Sequence, residues 1–213
     1  MTKKFIIFLI IVLLSACSIA PKPRTTVVNY DFGLQLFQQT SPTDEQSQLE
    51  VRSILVADIE SAPGFDNQNI HYRLAYSNPT QNHTYANSRW VATPAVLLTQ
   101  KLRSKIIQRT NHQIIKNNST AISDYALHIE LEEFTQVFDT KDTSHTIISL
   151  RASLVERKPH ALLAQQTFSI KQNASSANAE GAVDALATAS DMLIDEIVDW
   201  LTKALSTKQT PPS

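Results

Sequence analysis

The feature that most constrains this chain is its only cysteine, Cys17, which closes a hydrophobic N-terminal run. Lys3 and Lys4 supply a positive start, Phe5 to Leu14 is an unbroken apolar stretch, and Leu14-Ser15-Ala16-Cys17 ends it. That order is a secretory signal with a small-residue cleavage site and the cysteine at the first mature position. Ten apolar residues rise only about 15 Å as a helix, against the roughly 30 Å of a bilayer core, which argues against a permanent span. The rest of the chain is therefore expected to fold outside the cytoplasm. It must do so without a disulfide, because no second cysteine exists.

The Leu14–Cys17 pattern resembles the lipobox of bacterial lipoproteins. The resemblance implies cleavage before Cys17, a diacylglycerol thioether on its sulfur, and acylation of its new amine, with palmitate as the expected chain. An ordinary signal peptide with a chance cysteine is the alternative. Two or more acyl chains hold a protein firmly at a bilayer, at about 0.8 kcal/mol per buried CH₂. In the resembling lipoproteins an aspartate after the cysteine marks inner-membrane retention. Ser18 stands there instead, so outer-membrane anchoring facing the periplasm is expected.

Once residues 1–16 are removed, a single domain remains, long enough to bury a real core. The whole chain carries 19 basic and 20 acidic residues, which gives no sign of the basic excess of a nucleic-acid binder. Its three glycines, Gly33, Gly64 and Gly181, cannot build a phosphate cradle, so the chain is not itself an ATPase of the P-loop type. With Cys17 lipidated, thiolate metal sites and cysteine nucleophiles are excluded as well.

Residues 17–26 contain Pro21 and Pro23 and read as a tether. The nine residues after Cys17 reach about 30 Å at most. A short strand is expected over residues 27–32, and a polar loop over 38–49. Ile54-Leu55-Val56-Ala57 reads as a central strand, and alternating Ile70, Tyr72 and Leu74 as another. Ser77 to Ser88 is polar and reads as a loop. Thr93-Pro94 opens a helix, with Thr93 as N-cap, and Ala95, Leu98, Leu102 and Ile106 form its apolar stripe. Three strands follow, carried by Leu127/Ile129/Leu131, by Ile148/Leu150/Ala152/Leu154, and by Ala164/Gln166/Phe168/Ile170. A last helix runs from about Asn178 to Leu205, its stripe formed by Ala182, Leu186, Ala189, Leu193, Ile197 and Leu201. The expected fold is α+β: a mainly antiparallel sheet of about five strands with two long helices on one face. The domain is expected over 27–205 and a disordered tail over 206–213.

Chemistry-bearing patterns are few. His128, Glu130 and Glu132 alternate on one strand and form the best metal-like cluster, but polar groups on an exposed sheet face serve solvent equally well. Glu132-Glu133 and Asp139/Asp142 are the nearest approach to paired carboxylates. Neighbouring strand residues point to opposite faces, which disfavours an acid–base pair. No Gly-x-Ser-x-Gly elbow occurs. A non-enzyme is expected, without cofactor or metal. Arg89-Trp90, set just before the first helix, is the candidate interface or structural anchor, and Trp200 is expected at the edge of the core.

Several stretches then carry a resemblance to a known family. They are Ile54-Leu55-Val56, Pro63-Gly64-Phe65-Asp66, Ile70-His71-Tyr72-Arg73, Arg89-Trp90-Val91-Ala92-Thr93-Pro94, Glu130 to Asp139 with its Phe134 and Gln136, and the alanine-rich helix ending at Trp200-Leu201. In this order the chain resembles the ABC-type transport auxiliary lipoproteins. These are the lipoprotein partners of mammalian-cell-entry (MCE) lipid-transport systems, including the paraquat-inducible envelope system. The stretch after Phe65 departs from the family in lacking its frequent leucine and tyrosine. The resemblance implies an accessory domain that docks an MCE-domain channel protein working with a permease and an ATPase, with phospholipid or another hydrophobic molecule as cargo. A homo-oligomeric ring matching the channel is a further expectation. The competing reading is a structural envelope lipoprotein that stabilises an unrelated outer-membrane assembly.

Overall fold

The computed structural model describes residues 26–33, 52–110, 112–116 and 119–207. Cys17, the signal segment, the tether up to residue 25 and the polar loop at 38–49 lie outside the described residues. Among these residues eleven elements follow in chain order. They are β1 (Val28–Tyr30), β2 (Ser53–Val56), β3 (Glu60–Ser61), β4 (Asn69–Leu74), β5 (Asn78–Trp90), α1 (Pro94–Arg109), β6 (Gln113–Ile115), β7 (Tyr125–Phe138), β8 (Ser144–Glu156), β9 (Ala161–Asn173) and α2 (Ala179–Thr207).

The α+β class holds, but the sheet differs from the expected one: it has nine strands and is mixed rather than mainly antiparallel. Its spine is β7. On one side β8 pairs with it antiparallel along its whole length, and β9 pairs antiparallel with β8, which is the expected meander. On the other side the chain from Ser53 to Leu74 runs parallel to β7 in three pieces. Here β2 lies against Tyr125–Leu127, β3 against Glu130–Leu131 and β4 against Gln136–Phe138. Each piece is too short to announce a long strand, so the sequence hides how they line up. The strand β6 then pairs parallel with β2, β5 antiparallel with β4, and β1 parallel with β5. Because β2 is flanked on both sides, Ile54 and Val56 are completely buried, as a central strand requires.

The segment expected as a loop at Ser77–Ser88 is most of β5. Of its side chains only Trp90 is buried and most are exposed, so no alternating pattern was needed. Two register irregularities against β4 disturb it further. At the other end, α2 continues through Thr207, past the expected start of the tail. Residues 208–213 lie outside the described residues.

Both helices cover the same face of the sheet. The expected stripe of α1 is buried with that of α2 in one core, together with Leu127, Ile129 and Leu131 of β7. His128 and Glu130, on the opposite face, are exposed. The parity of β7 switches at an irregularity between Leu131 and Glu133, after which Phe134 and Phe138 face the core. A bulge inserts one extra residue and so flips every later side chain to the other face. Thr93 occupies the α1 N-cap position and its carbonyl accepts from Leu97 at 3.1 Å, though its hydroxyl makes no capping bond.

The cations of α1 have partners across the helix pair. Lys101 meets Asp191 at 2.8 Å, Lys105 meets Asp195 at 3.1 Å, and Arg109 meets Asp195 and Asp199 at 3.0 and 2.7 Å. Arg103 instead reaches Asp58 and the Val56 carbonyl at 2.8 and 2.6 Å. Thr99 accepts from the Ile59 amide at 2.9 Å while donating to the Ala95 carbonyl at 2.7 Å, which pins α1 to the link between β2 and β3.

Candidate functional site

The structure separates Arg89 and Trp90, which are adjacent in sequence. Trp90 is completely buried, with Phe32 and Phe134 edge-on at centroid distances of 5.5 and 5.7 Å. Its amide donates to the Gln68 carbonyl at 2.8 Å, while its indole nitrogen has no acceptor among the described residues. It therefore works from inside, as the anchor of the β5–α1 junction. Arg89 is exposed, in register with Asn29 of β1 and Asn69 of β4.

The metal-like cluster on β7 does not converge. Glu130 and Glu132 both turn to Arg151 of β8, at 3.1 and 2.6 Å, and Ser149 donates to Glu132 at 3.1 Å. Among the described residues, no group of three or more His, Cys, Asp or Glu side chains is arranged to hold a metal ion. Asp139 accepts from His145 at 2.7 Å, and that bond holds its carboxyl below the usual carboxylate range. Asp142 lies in the β7–β8 turn, where its amide meets Thr140.

Two polar clusters, centred on residues to which the sequence reading gave no role, organise the same half of the sheet. Gln136 is fully buried. Its carbonyl accepts from the Tyr85 hydroxyl at 2.6 Å, and its amide donates to Ser144 at 2.8 Å and to the Asn178 carbonyl at 3.3 Å. One side chain thus ties β5, β8 and the start of α2 to β7. Burial, with Tyr72 beside it, pushes the Tyr85 phenol well above its ordinary pKa, so it stays a donor. Nearby, His71 lies between Asn67 and Asn82, each 3.1 Å from a ring nitrogen, with Phe65 edge-on at 5.4 Å. Burial lowers the His71 pKa, opposed by the Asn82 bond and reinforced by Arg73. A buried glutamine or histidine shows no distinctive spacing in sequence, because its partners arrive from other strands.

A further feature is a groove of about 650 Å³ between the end of α2 and the start of β9. Leu163, Ala164 and Gln166 line it from β9, and Trp200, Lys203 and Ala204 from α2. Trp200 packs edge-on against Phe168 at 5.8 Å and is only partly buried, so its other face belongs to the groove. The groove and the entry of the N-terminal chain at β1 occupy opposite corners of the sheet. Five strand spacings separate β9 from β1, and about seven residues of β7 separate the Leu127 level from Phe134. Strand spacings of about 4.8 Å and a rise of about 3.3 Å per residue put those corners roughly 30 Å apart. No described helix is long and apolar enough to cross a membrane.

Comparison with known proteins bears on this arrangement. No curated protein matches the chain. Among solved structures, protein XCC0632 from Xanthomonas campestris is similar over 76% of this chain and 90% of its own, at 20% identity and a TM-score of 0.68. A hypothetical protein, CT253 from Chlamydia trachomatis, is similar over 71% and 96%, at 9% identity and a TM-score of 0.50. At such identities these likenesses show the fold alone. The family model for the ABC-type transport auxiliary lipoprotein component matches residues 32–198, from the end of β1 to the last turns of α2. The chain belongs to the ABC-type transport auxiliary lipoprotein family.

Proposed function

We propose that this protein is an outer-membrane-anchored accessory lipoprotein that docks the channel component of an ABC transporter and holds it at the membrane. The expected partner is an MCE-domain channel protein served by a permease and an ATPase, carrying phospholipid or another hydrophobic molecule. The observation that carries the reading is the family match across residues 32–198. The domain contributes position, not chemistry. A body tethered through Cys17 stays within a thin layer beside its membrane, so modest protein contacts suffice to retain a partner there by effective concentration. Lipidation of Cys17 and the sorting signal at Ser18 belong to this proposal, as does a ring of several copies.

Two measurements test it. The first fractionates envelopes from cells making the native protein or Cys17→Ala. Native protein in the outer-membrane fraction, with the variant released, is expected. Native protein in the inner membrane overturns the sorting, and a variant retained like the native overturns the lipid anchor. The second measures association of the purified protein with the MCE ectodomain encoded beside it. Absence of association removes the docking role, whatever the anchor does. Stoichiometric lipid in the purified protein replaces docking with carriage.

A further inference from the structure

Among the described residues four strands of the sheet are paired on one side only, and they are unequal. Both β1 and β6 are three residues long and β3 only two, whereas β9 has thirteen residues and pairs only with β8. Alternate residues of such an edge present unpaired N–H and C=O groups to the outside. Natural edges are blunted by shortness, proline or charge. In β9 there is no proline and one charge, Lys171, at the end far from the groove.

The groove lies along the near end of this edge. A register irregularity between Leu154 and Val155 of β8 leaves Leu163 as the extra residue of β9, and Leu163 lines the groove. Leu162 pairs with Val155, which puts it on the opposite face of the sheet, and it is 59% exposed. A strand added here would find apolar side chains on both faces: Leu162 outside, and Leu163, Ala164, Ala204 and the open face of Trp200 inside. The charges at the rim are settled unequally. Asp199 is neutralised by Arg109 at 2.7 Å, whereas Lys203 has no ion-pair partner among the described residues. The groove therefore presents a net positive charge beside an apolar floor.

We propose that the β9 edge and the Trp200 groove receive an extended segment of another polypeptide. It pairs backbone to backbone with Ala161–Thr167, seats an apolar side chain against Trp200, and sets an acidic residue against Lys203. Strand addition of this kind takes affinity from main-chain hydrogen bonds and specificity from pockets for alternate side chains. A second copy of this chain fits the charge poorly. Antiparallel pairing of β9 with itself sets Lys171 of one copy opposite Leu163 of the other, and β9 contains no Asp or Glu to meet Lys203. The inference stands apart from the transporter reading, because it states the chemistry of a segment and not the protein that bears it.

The test uses full-length protein in nanodiscs. Random decapeptides displayed on phage are selected against it, with empty nanodiscs as counter-selection, and the best binder is synthesised with a fluorophore. Enriched sequences are expected to hold an apolar residue within two positions of Asp or Glu. Trp200→Ala is expected to weaken binding tenfold or more, as loss of a buried aromatic contact does. Trp200 also packs on Phe168, so two surface variants guard against misfolding: Lys203→Glu and Leu162→Asp are each expected to weaken binding at least fivefold with an unchanged melting curve. Amides of residues 161–167 should exchange more slowly in the complex. Selection without enrichment overturns the proposal, as does binding that all three variants leave intact. Self-association abolished by Lys203→Glu makes a second copy the occupant, and co-purified lipid released by Trp200→Ala makes it an acyl chain. Either result overturns the proposal.

Discussion

Replacing Gln136 by leucine tests whether one buried amide holds three elements to the spine of the sheet. Leucine nearly preserves the volume, so the loss is one of hydrogen bonds. Three are removed: from Tyr85 at 2.6 Å, to Ser144 at 2.8 Å and to the Asn178 carbonyl at 3.3 Å. Ser144 is buried, so its hydroxyl keeps little access to water, while Tyr85 is half-buried and the Asn178 carbonyl still accepts from the Ala182 amide at 3.0 Å. A bond lost with partial resolvation costs about 0.5–1.5 kcal/mol, and a buried group left unpaired about 1–3 kcal/mol. Gln136→Leu is therefore expected to cost about 2–4 kcal/mol, and Tyr85→Phe, which leaves the Gln136 carbonyl unpaired, about 1–2 kcal/mol. Both singles break the same 2.6 Å bond. The double variant should then fall short of the sum of the singles by roughly 1 kcal/mol, since residues sharing a bond do not add. Urea unfolding of the soluble domain, residues 18–213, reads all three values. At a slope of about 2 kcal/mol/M the Gln136→Leu midpoint should drop by about 1–2 M. A cost below about 1 kcal/mol, or additivity of the two substitutions within about 0.3–0.5 kcal/mol, would refute the linking role.

Trp90→Ala should cost about 3–5 kcal/mol in the same assay, as removal of a fully buried aromatic does; a loss under 1 kcal/mol with abolished partner binding would reassign Trp90 to an interface. Gly181→Ala is expected to destabilise by about 1–3 kcal/mol through overpacking, because a Cβ there would press into the Ser176 backbone carbonyl. An unchanged melting temperature would show that the Ser176 turn yields freely. Asn178→Ala removes the cap in which Asn178 Oδ1 accepts from the Gly181 amide at 2.9 Å, and should cost about 1 kcal/mol, checked by thermal unfolding. Stability should also fall in mild acid. His71 and His112 both have lowered pKa values through burial, so each binds its proton more readily in the unfolded chain. Their contribution is complete above the unfolded value of about 6.5 and is lost as pH falls through it toward the folded value. The acid-induced loss between pH 7 and 5 should shrink in a His71→Gln variant; a loss of unchanged size would assign it elsewhere.

What the sequence made legible follows from how much of each pattern is local. The stripe of α1 and that of α2 were readable because a helix repeats its buried face every three or four residues within one segment. The β7–β8–β9 meander was readable because consecutive strands of this length pair with their neighbours. The parallel half was not, since β2, β3 and β4 contribute four, two and six residues and become one edge only when β7, some fifty residues later, lines them up. Lys101, Lys105 and Arg109 of α1 pair with Asp191, Asp195 and Asp199 on α2, a helix far along the chain that no local spacing ties to them. The polar clusters at Gln136 and His71 were illegible for the same reason as the parallel strands: their partners come from separate elements. Trp200 was read as core edge, and only the fold shows that beyond it β9 lies open.

These placements bear on how a domain held by the proposed Cys17 anchor meets anything else. Chain entry at β1 and the groove at β9 lie at opposite corners, so a membrane reached through the N-terminal tether need not cover the groove. Shortening the tether offers a direct check of that geometry. Deleting residues 19–24 removes about 20 Å of reach at 3.3–3.6 Å per residue and brings the β1 corner close to the bilayer. If partner contacts lie at the far corner, binding of the peptide selected on nanodiscs should stay within twofold of the native value. If the near corner around Arg89 carries them, capture of the MCE ectodomain should fall while peptide binding persists. Loss of both would mean that the domain lies flat on the membrane, with the β9 edge facing lipid, and the opposition of anchor and groove would then have no functional meaning.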